Sequence, residues 1–134
     1  MAREARCDAA VTRGRLARAR AFIDAADVVA DLVEGDDLAE TEFAAALVTL
    51  WVHAGIAAAD VICCVRVGRH HTGENHQAAV KLLRAADKGT ETLLDRLLSL
   101  KAPAGYGHRL VGTRDRLSAR RAAEALVQRA EELL

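Results

Sequence analysis

Two long stretches repeat apolar residues every three or four positions, and that rhythm restricts the chain to helices that each bury a stripe. In the first, Leu16, Ala19, Ile23, Ala26, Ala30 and Val33 predict a helix over residues 12 to 34, ended by Gly35-Asp36-Asp37. In the second, Phe43, Leu47, Leu50, Ala54, Ala57, Val61 and Cys64 predict a helix over 38 to 67. Between Phe43 and Val65 only His53 and Asp60 titrate, and apolar residues occupy much of the circumference, so this helix is expected at the centre of the fold. A membrane span is the competing use of such a stretch. Its alanines contribute little insertion energy and Asp60 would cost about 3 kcal/mol at a helix centre, so the expectation is a buried core helix and no membrane partner.

Three shorter helices follow from the same rhythm. Asn75 or Thr72 can cap one whose inner face is Ala79, Val80, Leu83 and Ala86, interrupted at Lys88-Gly89. Thr90 or Glu91 begins the next, with Leu93, Leu94, Leu97 and Leu100 inside. KAPAGYGHRLVG, which holds the single proline and several glycines, reads as a loop, and Thr113 as the N-cap of a last helix carrying Ala119, Ala123, Leu126, Ala130 and Leu133. With 29 alanines, 51% apolar and 28% charged residues, the expected fold class is all-α, an antiparallel four- to five-helix up-and-down bundle with no strand. At 134 residues it is one domain's worth, read as a flexible N-terminus over 1–11 and a helical bundle over 12–134. Alanine-rich seams let helices approach closely but bury little area each, which favours burial of leftover apolar faces in a homodimer.

Nineteen basic residues balance nineteen acidic ones, so no global attraction to nucleic acid or anionic membrane is available and any such site must be a local patch. Cys7, Cys63 and Cys64 lack CxxC spacing, and an adjacent pair makes a poor staple, so a reducing cytoplasm is expected. The N-terminus MAREARCDAA has no apolar run of the kind a signal peptide needs, which points the same way.

Chemistry concentrates in two places. His53 and Asp60 lie seven apart on one face of the central helix, where a buried carboxylate must find a partner. The structural role, fixing helix register against a basic residue such as Lys101, outweighs a catalytic one there, and Asp60 stays a candidate binding residue. The stretch CVRVGRHHTGENH, residues 64 to 76, holds Arg66, Arg69, His70, His71 and His76. Both arginines suit the negative C-terminal end of a helix, and His76 continues the rhythm of Ala79, Val80 and Leu83 as a histidine at the core edge. The sharper reading brings Arg69 and His76 together across a turn. Arginine presents a permanent planar charge to phosphate and histidine exchanges protons near neutral pH, a pairing suited to metal-independent phosphodiester cleavage. His70, His71, Glu74 and His76 are a weaker set for zinc, because no helical HxxxH or cysteine pair supports them, and no metal or other cofactor is expected. Tyr106 and Arg109 in the glycine-rich loop are candidates for contact with a base.

Arg69-His70-His71-Thr72-Gly73-Glu74-Asn75-His76, an arginine followed directly by a polar residue and with six residues between it and a histidine, resembles the motif of HEPN domains (higher eukaryotes and prokaryotes nucleotide-binding). Arg66 to His71 fits the spacing with four intervening residues, although Val67 departs from the polar preference. GIAAADVICC before the motif, HQAAVKLL after it and LLSLKAPAGYG further on look like small actinobacterial members, a similarity spanning residues 12 to 134. The resemblance implies a dimeric helical bundle that binds RNA or nucleotide. In active members it implies a metal-independent endoribonuclease, often in a toxin-antitoxin or defence system with an antitoxin partner. Carried over, Arg69 would stabilise phosphate and His76 act as general acid or base, with Arg66, His70 and His71 as secondary candidates. The rival reading is a non-catalytic dimeric interaction module with a structural histidine cluster.

Overall fold

In the computed structural model, which describes residues 3–35 and 41–134, the apolar rhythm becomes five helices: α1 (Ala9–Gly35), α2 (Glu42–Val67), α3 (His76–Ala86), α4 (Glu91–Tyr106) and α5 (Thr113–Glu132). Asp36 and Asp37, expected to end the first helix, and residues 38–40, expected to begin the second, lie outside the described residues. The all-α bundle expected from periodicity is the fold observed. α2 packs against all four other helices, and Leu47, Val48, Trp51, Val52 and Ile62 are at most 2% exposed. Among the described residues α2 alone is long and apolar enough to cross a membrane, but 67% of its apolar window is buried inside the bundle. That burial is what the core helix of a folded domain requires.

Small residues let the neighbours close on α2. At Gly55 an added Cβ would lie 2.2 Å from Leu97 Cδ1 and 3.3 Å from Leu126 Cδ1, so side chains of α4 and α5 rest directly on the α2 backbone. Phe43, expected in the inner stripe, is instead 53% exposed. The buried face begins at Ala44, Ala45, Leu47 and Val48, and Phe43 lies off that line by one residue of helical rotation.

The N-terminal segment departs from expectation. Within the stretch read as flexible, residues 3–6 form a strand, β1 (Arg3–Arg6), which pairs antiparallel with β2 (Arg69–Thr72), in the stretch read as strandless. The register sets Glu4 opposite His71 and Ala5 opposite His70. α1 then starts three residues early, because Asp8 Oδ1 accepts from Val11 N at 2.8 Å and so caps it. Cys7 and Cys64 are joined by a disulfide across 57 residues, which corrects the reading of all three cysteines as reduced. Adjacency of Cys63 and Cys64 was no obstacle, because the partner of Cys64 comes from the far end of the chain and Cys63 stays a free, buried thiol.

Local chemistry explains the other boundaries. α2 ends at Gly68, whose φ of 73° is the left-handed conformation that closes a helix, with its N–H donated to Cys64 O. Asn75 caps α3, accepting from Ala78 N at 2.9 Å. α4 runs on through Pro103 to Tyr106, whereas KAPAGYG had been expected as loop. Proline lacks one N–H, but Ala102 and Ala104 favour helix and Ala104 packs on the core, which outweighs that loss near a helix end. Thr113, expected as the cap of α5, is its first residue, with Gly112 at the cap position.

Candidate functional site

A cavity of about 390 Å³ opens between α2, α4 and the β2–α3 connection. Its wall from α2 is Ile56, Ala59, Asp60 and Cys63; α4 supplies Leu94, Leu98, Lys101, Ala102 and Tyr106; and the connection supplies His71, Gly73, Glu74, Asn75 and His76, followed by Ala79. Apolar walls with a few convergent polar groups are the usual composition of a small-ligand site, and the volume lies in the range such sites occupy. Of the residues singled out in the sequence, Asp60, His71, Glu74, His76, Lys101 and Tyr106 meet here.

Asp60 forms the polar floor. Its Oδ2 accepts from Arg15 Nε of α1 at 2.9 Å, and His70 Nδ1 lies 3.8 Å from Oδ1, so Arg15 and not Lys101 is the basic partner. Burial holds the Asp60 carboxyl above its ordinary range, and the charges of Arg15, His70 and His71 oppose that shift without cancelling it. Lys101 reaches the same cavity from α4 and bears instead on His53, which stacks on Phe22 with ring centroids 5.3 Å apart. The His53 pKa is lowered from 6.5, first by burial and then by Lys101 and Arg15. The unfolded chain therefore accepts a proton that the folded one resists, and stability is expected to fall as pH drops below 6.5 through the folded pKa. Urea unfolding compared at about pH 7.5 and about pH 5 should show a smaller loss for His53→Gln than for the parent; equal losses would remove His53 as the cause.

His71 is the unusual wall residue. Both of its ring nitrogens are buried and neither has a hydrogen-bond partner among the described residues. Leaving such groups unsatisfied costs of order 1–3 kcal/mol each. His76, the first residue of α3, has Nε2 bonded to Asp95 Oδ1 of α4 at 2.7 Å. That contact orients the ring. Tyr106 stands at the rim, 84% exposed.

Arg69 and Arg66 are placed elsewhere. Arg69 begins β2, and its guanidinium pairs diagonally across the strands with Glu4 and donates to Val67 O; it does not line the cavity. An extended strand carries it away from His76, since β2 separates the two along its length. Arg66, in the last turn of α2, lies 4.0 Å from Asp87, which Arg129 holds through two hydrogen bonds of 2.9 and 3.0 Å. Both arginines thus have the structural partners that a helix end or strand edge supplies. Arg15 and Lys101 are the site residues sequence reasoning did not rank as such. Arg15 is one position before the stripe residue Leu16, and only the packing of α1 on α2 turns it toward Asp60. Cys63, also in the wall, has its thiol pushed up to about 12 by burial and by Asp60 and Glu4, with Arg69 opposing, which leaves it unreactive at neutral pH.

Among the described residues no group of three or more His, Cys, Asp or Glu is disposed to hold a metal ion. Comparison with known proteins adds no family: no family model matches the chain, and no curated protein or solved structure matches it.

Proposed function

We propose that this chain is a HEPN-like helical domain that binds RNA or a nucleotide in the cavity of Asp60, His71, His76, Lys101 and Tyr106, and cleaves RNA without a metal. The observation that carries the reading is His71, a histidine with two unsatisfied buried nitrogens in the same wall as the oriented His76. Two histidines beside a lysine suit phosphodiester transesterification. One imidazole takes the proton of a 2′-hydroxyl as its oxygen attacks phosphorus, the other protonates the departing 5′-oxygen, and the ammonium of Lys101 faces the charge gathering on the phosphate. Tyr106 offers a ring for a base at the rim. Arg69, the phosphate ligand suggested by the motif, pairs with Glu4 outside the cavity and takes no part in cleavage in this reading.

The test is cleavage of single-stranded RNA by the purified protein in EDTA, with products ending in a 2′,3′-cyclic phosphate. His71→Ala and His76→Ala should each slow it at least about 100-fold with the helical circular dichroism unchanged, and Arg69→Ala far less. Undiminished cleavage by His76→Ala would overturn the assignment. Absence of both cleavage and nucleotide affinity would leave the rival, a dimeric interaction module. That rival is favoured by exposed Val28 and Leu32, one turn apart on α1, and exposed Phe43 at the same end of the bundle. A cytoplasmic toxin or defence setting, with an antitoxin partner, accompanies the catalytic reading.

A further inference from the structure

The disulfide, the β ladder and the cavity wall are mechanically one unit. β1 holds β2 through four residue pairs, Cys7 N donates to Gly68 O at 2.9 Å just before β2 begins, and the Cys7–Cys64 bond clamps the end of β1 to the last turns of α2. β2 in turn carries His70 to Asp60 and His71 into the cavity wall. A two-stranded ladder this short is marginal in water, and the Glu4–Arg69 pair, with half-exposed partners, adds little. The covalent link is therefore what keeps β1 in register, and β1 is what braces the outer edge of β2.

We infer that Cys7–Cys64 is a thiol–disulfide exchange site for dithiol reductants, and that its reduction releases β1 and loosens the His70–His71 wall of the cavity. Cys7 is half-buried and Cys64 buried, so the attacking thiolate reaches Sγ of Cys7. A sulfur–sulfur bond forms between reductant and Cys7 as the Cys7–Cys64 bond breaks, and Cys64 leaves as a thiolate that takes a proton. The second thiol of the reductant then attacks its own mixed-disulfide sulfur, freeing Cys7 as a thiol and leaving the reductant as its cyclic disulfide. Two electrons pass from the dithiol to the protein. Cys63 does not divert this exchange, because its buried thiol stays protonated. Release is confined to one edge of the fold, since Asp8 still caps α1 and the main packing partner of β1 is β2, while α2, α4 and α5 pack chiefly on one another. A disulfide that opens this way fits a reducing compartment, where such bonds are transient and sensory.

The inference reaches the proposed site only through His71, and its test needs no RNA. Amide hydrogen exchange is followed by mass spectrometry in the aerobically purified protein, with and without dithiothreitol, alongside Cys7→Ser. On reduction, exchange across residues 69–76 should rise at least about tenfold while peptides from the middle of α2 and α5 keep their protection, and Cys7→Ser should match the reduced parent in both conditions. Three outcomes would overturn it: equal protection of 69–76 in the two states, a rise spread evenly over the whole chain, or alkylation of Cys7 and Cys64 as free thiols before any reductant is added. Loss of RNA cleavage in the nuclease assay would not touch it.

Discussion

Leu97→Ala is expected to lower the free energy of unfolding by about 3–5 kcal/mol, in the range found for fully buried leucines that leave a cavity. Leu97 is 0% exposed and stands against Gly55 at the junction of α2, α4 and α5. Gly55→Ala alone sets two effects against each other. Replacing a mid-helix glycine contributes about 1 kcal/mol, whereas a methyl 2.2 Å from Leu97 Cδ1 forces that side chain to move within a closed core. In the double variant the clash with Leu97 is absent, only the tighter 3.3 Å contact with Leu126 Cδ1 remains, and the new methyl occupies part of the cavity. The two changes should therefore couple favourably, with the double variant more stable than Leu97→Ala alone by about 1 kcal/mol or more. Urea unfolding of the four proteins measures the coupling. Strict additivity would mean that the helices separate at this junction and that Gly55 is not needed for their approach.

Arg15→Met is expected to cost about 3 kcal/mol at neutral pH and much less in acid. Asp60 is 9% exposed and takes its one charged hydrogen bond from Arg15, so removing the guanidinium strands a carboxylate in the core. Burial already raises the Asp60 pKa above 3.8, and Arg15 is the largest influence opposing it. Without Arg15 the folded pKa rises further, so the penalty stands in full above that value and fades as pH falls through it and the carboxyl takes a proton. Asp60→Asn should be milder, under about 1.5 kcal/mol, because the Arg15 side chain is 30% exposed and its charge can turn to water. Denaturant midpoints of the parent and both variants at about pH 8 and about pH 4 decide the matter. An Arg15→Met penalty that does not change with pH would show that packing of the arginine stem, and not its charge, is what the site loses.

These two sites mark how far sequence reasoning reached. The stripe containing Leu97 was legible because a helix repeats every 3.6 residues, and the same rhythm located α1 to α5 and made α2 central. That Asp60 would be buried and paired was legible from its apolar surroundings. The identity of its partner was not, since Arg15 lies 45 residues away and any basic residue on a neighbouring helix satisfies the same electrostatics. The sequence suggests Lys101, which reaches the cavity without bonding to Asp60.

The candidate site divides in the same way. His76 and Asp60 were found by type and position, and both line the cavity, as do His71 and Tyr106. Proline and glycine usually end helices, which predicts a loop at Tyr106, yet Tyr106 arrives at the rim as the last residue of α4. Arg69 was linked to His76 by a seven-residue spacing that a tight turn would have made meaningful. Residues 70–72 are instead extended in β2 before the connection to α3, and Arg69 is drawn off by Glu4.

Hydrophobic periodicity, capping residues and composition determined the all-α class, the helices and the burial of α2, because each depends on residues a few positions apart. Only the tertiary structure decided that Arg3–Arg6 would pair with Arg69–Thr72, that Cys7 would bond Cys64 and not Cys63, and that His71 would share a wall with His76. A four-residue strand has no period long enough to register, and a cysteine carries no local mark of its partner. Those choices are made by contacts between distant parts of the chain, which exist only once the bundle has formed.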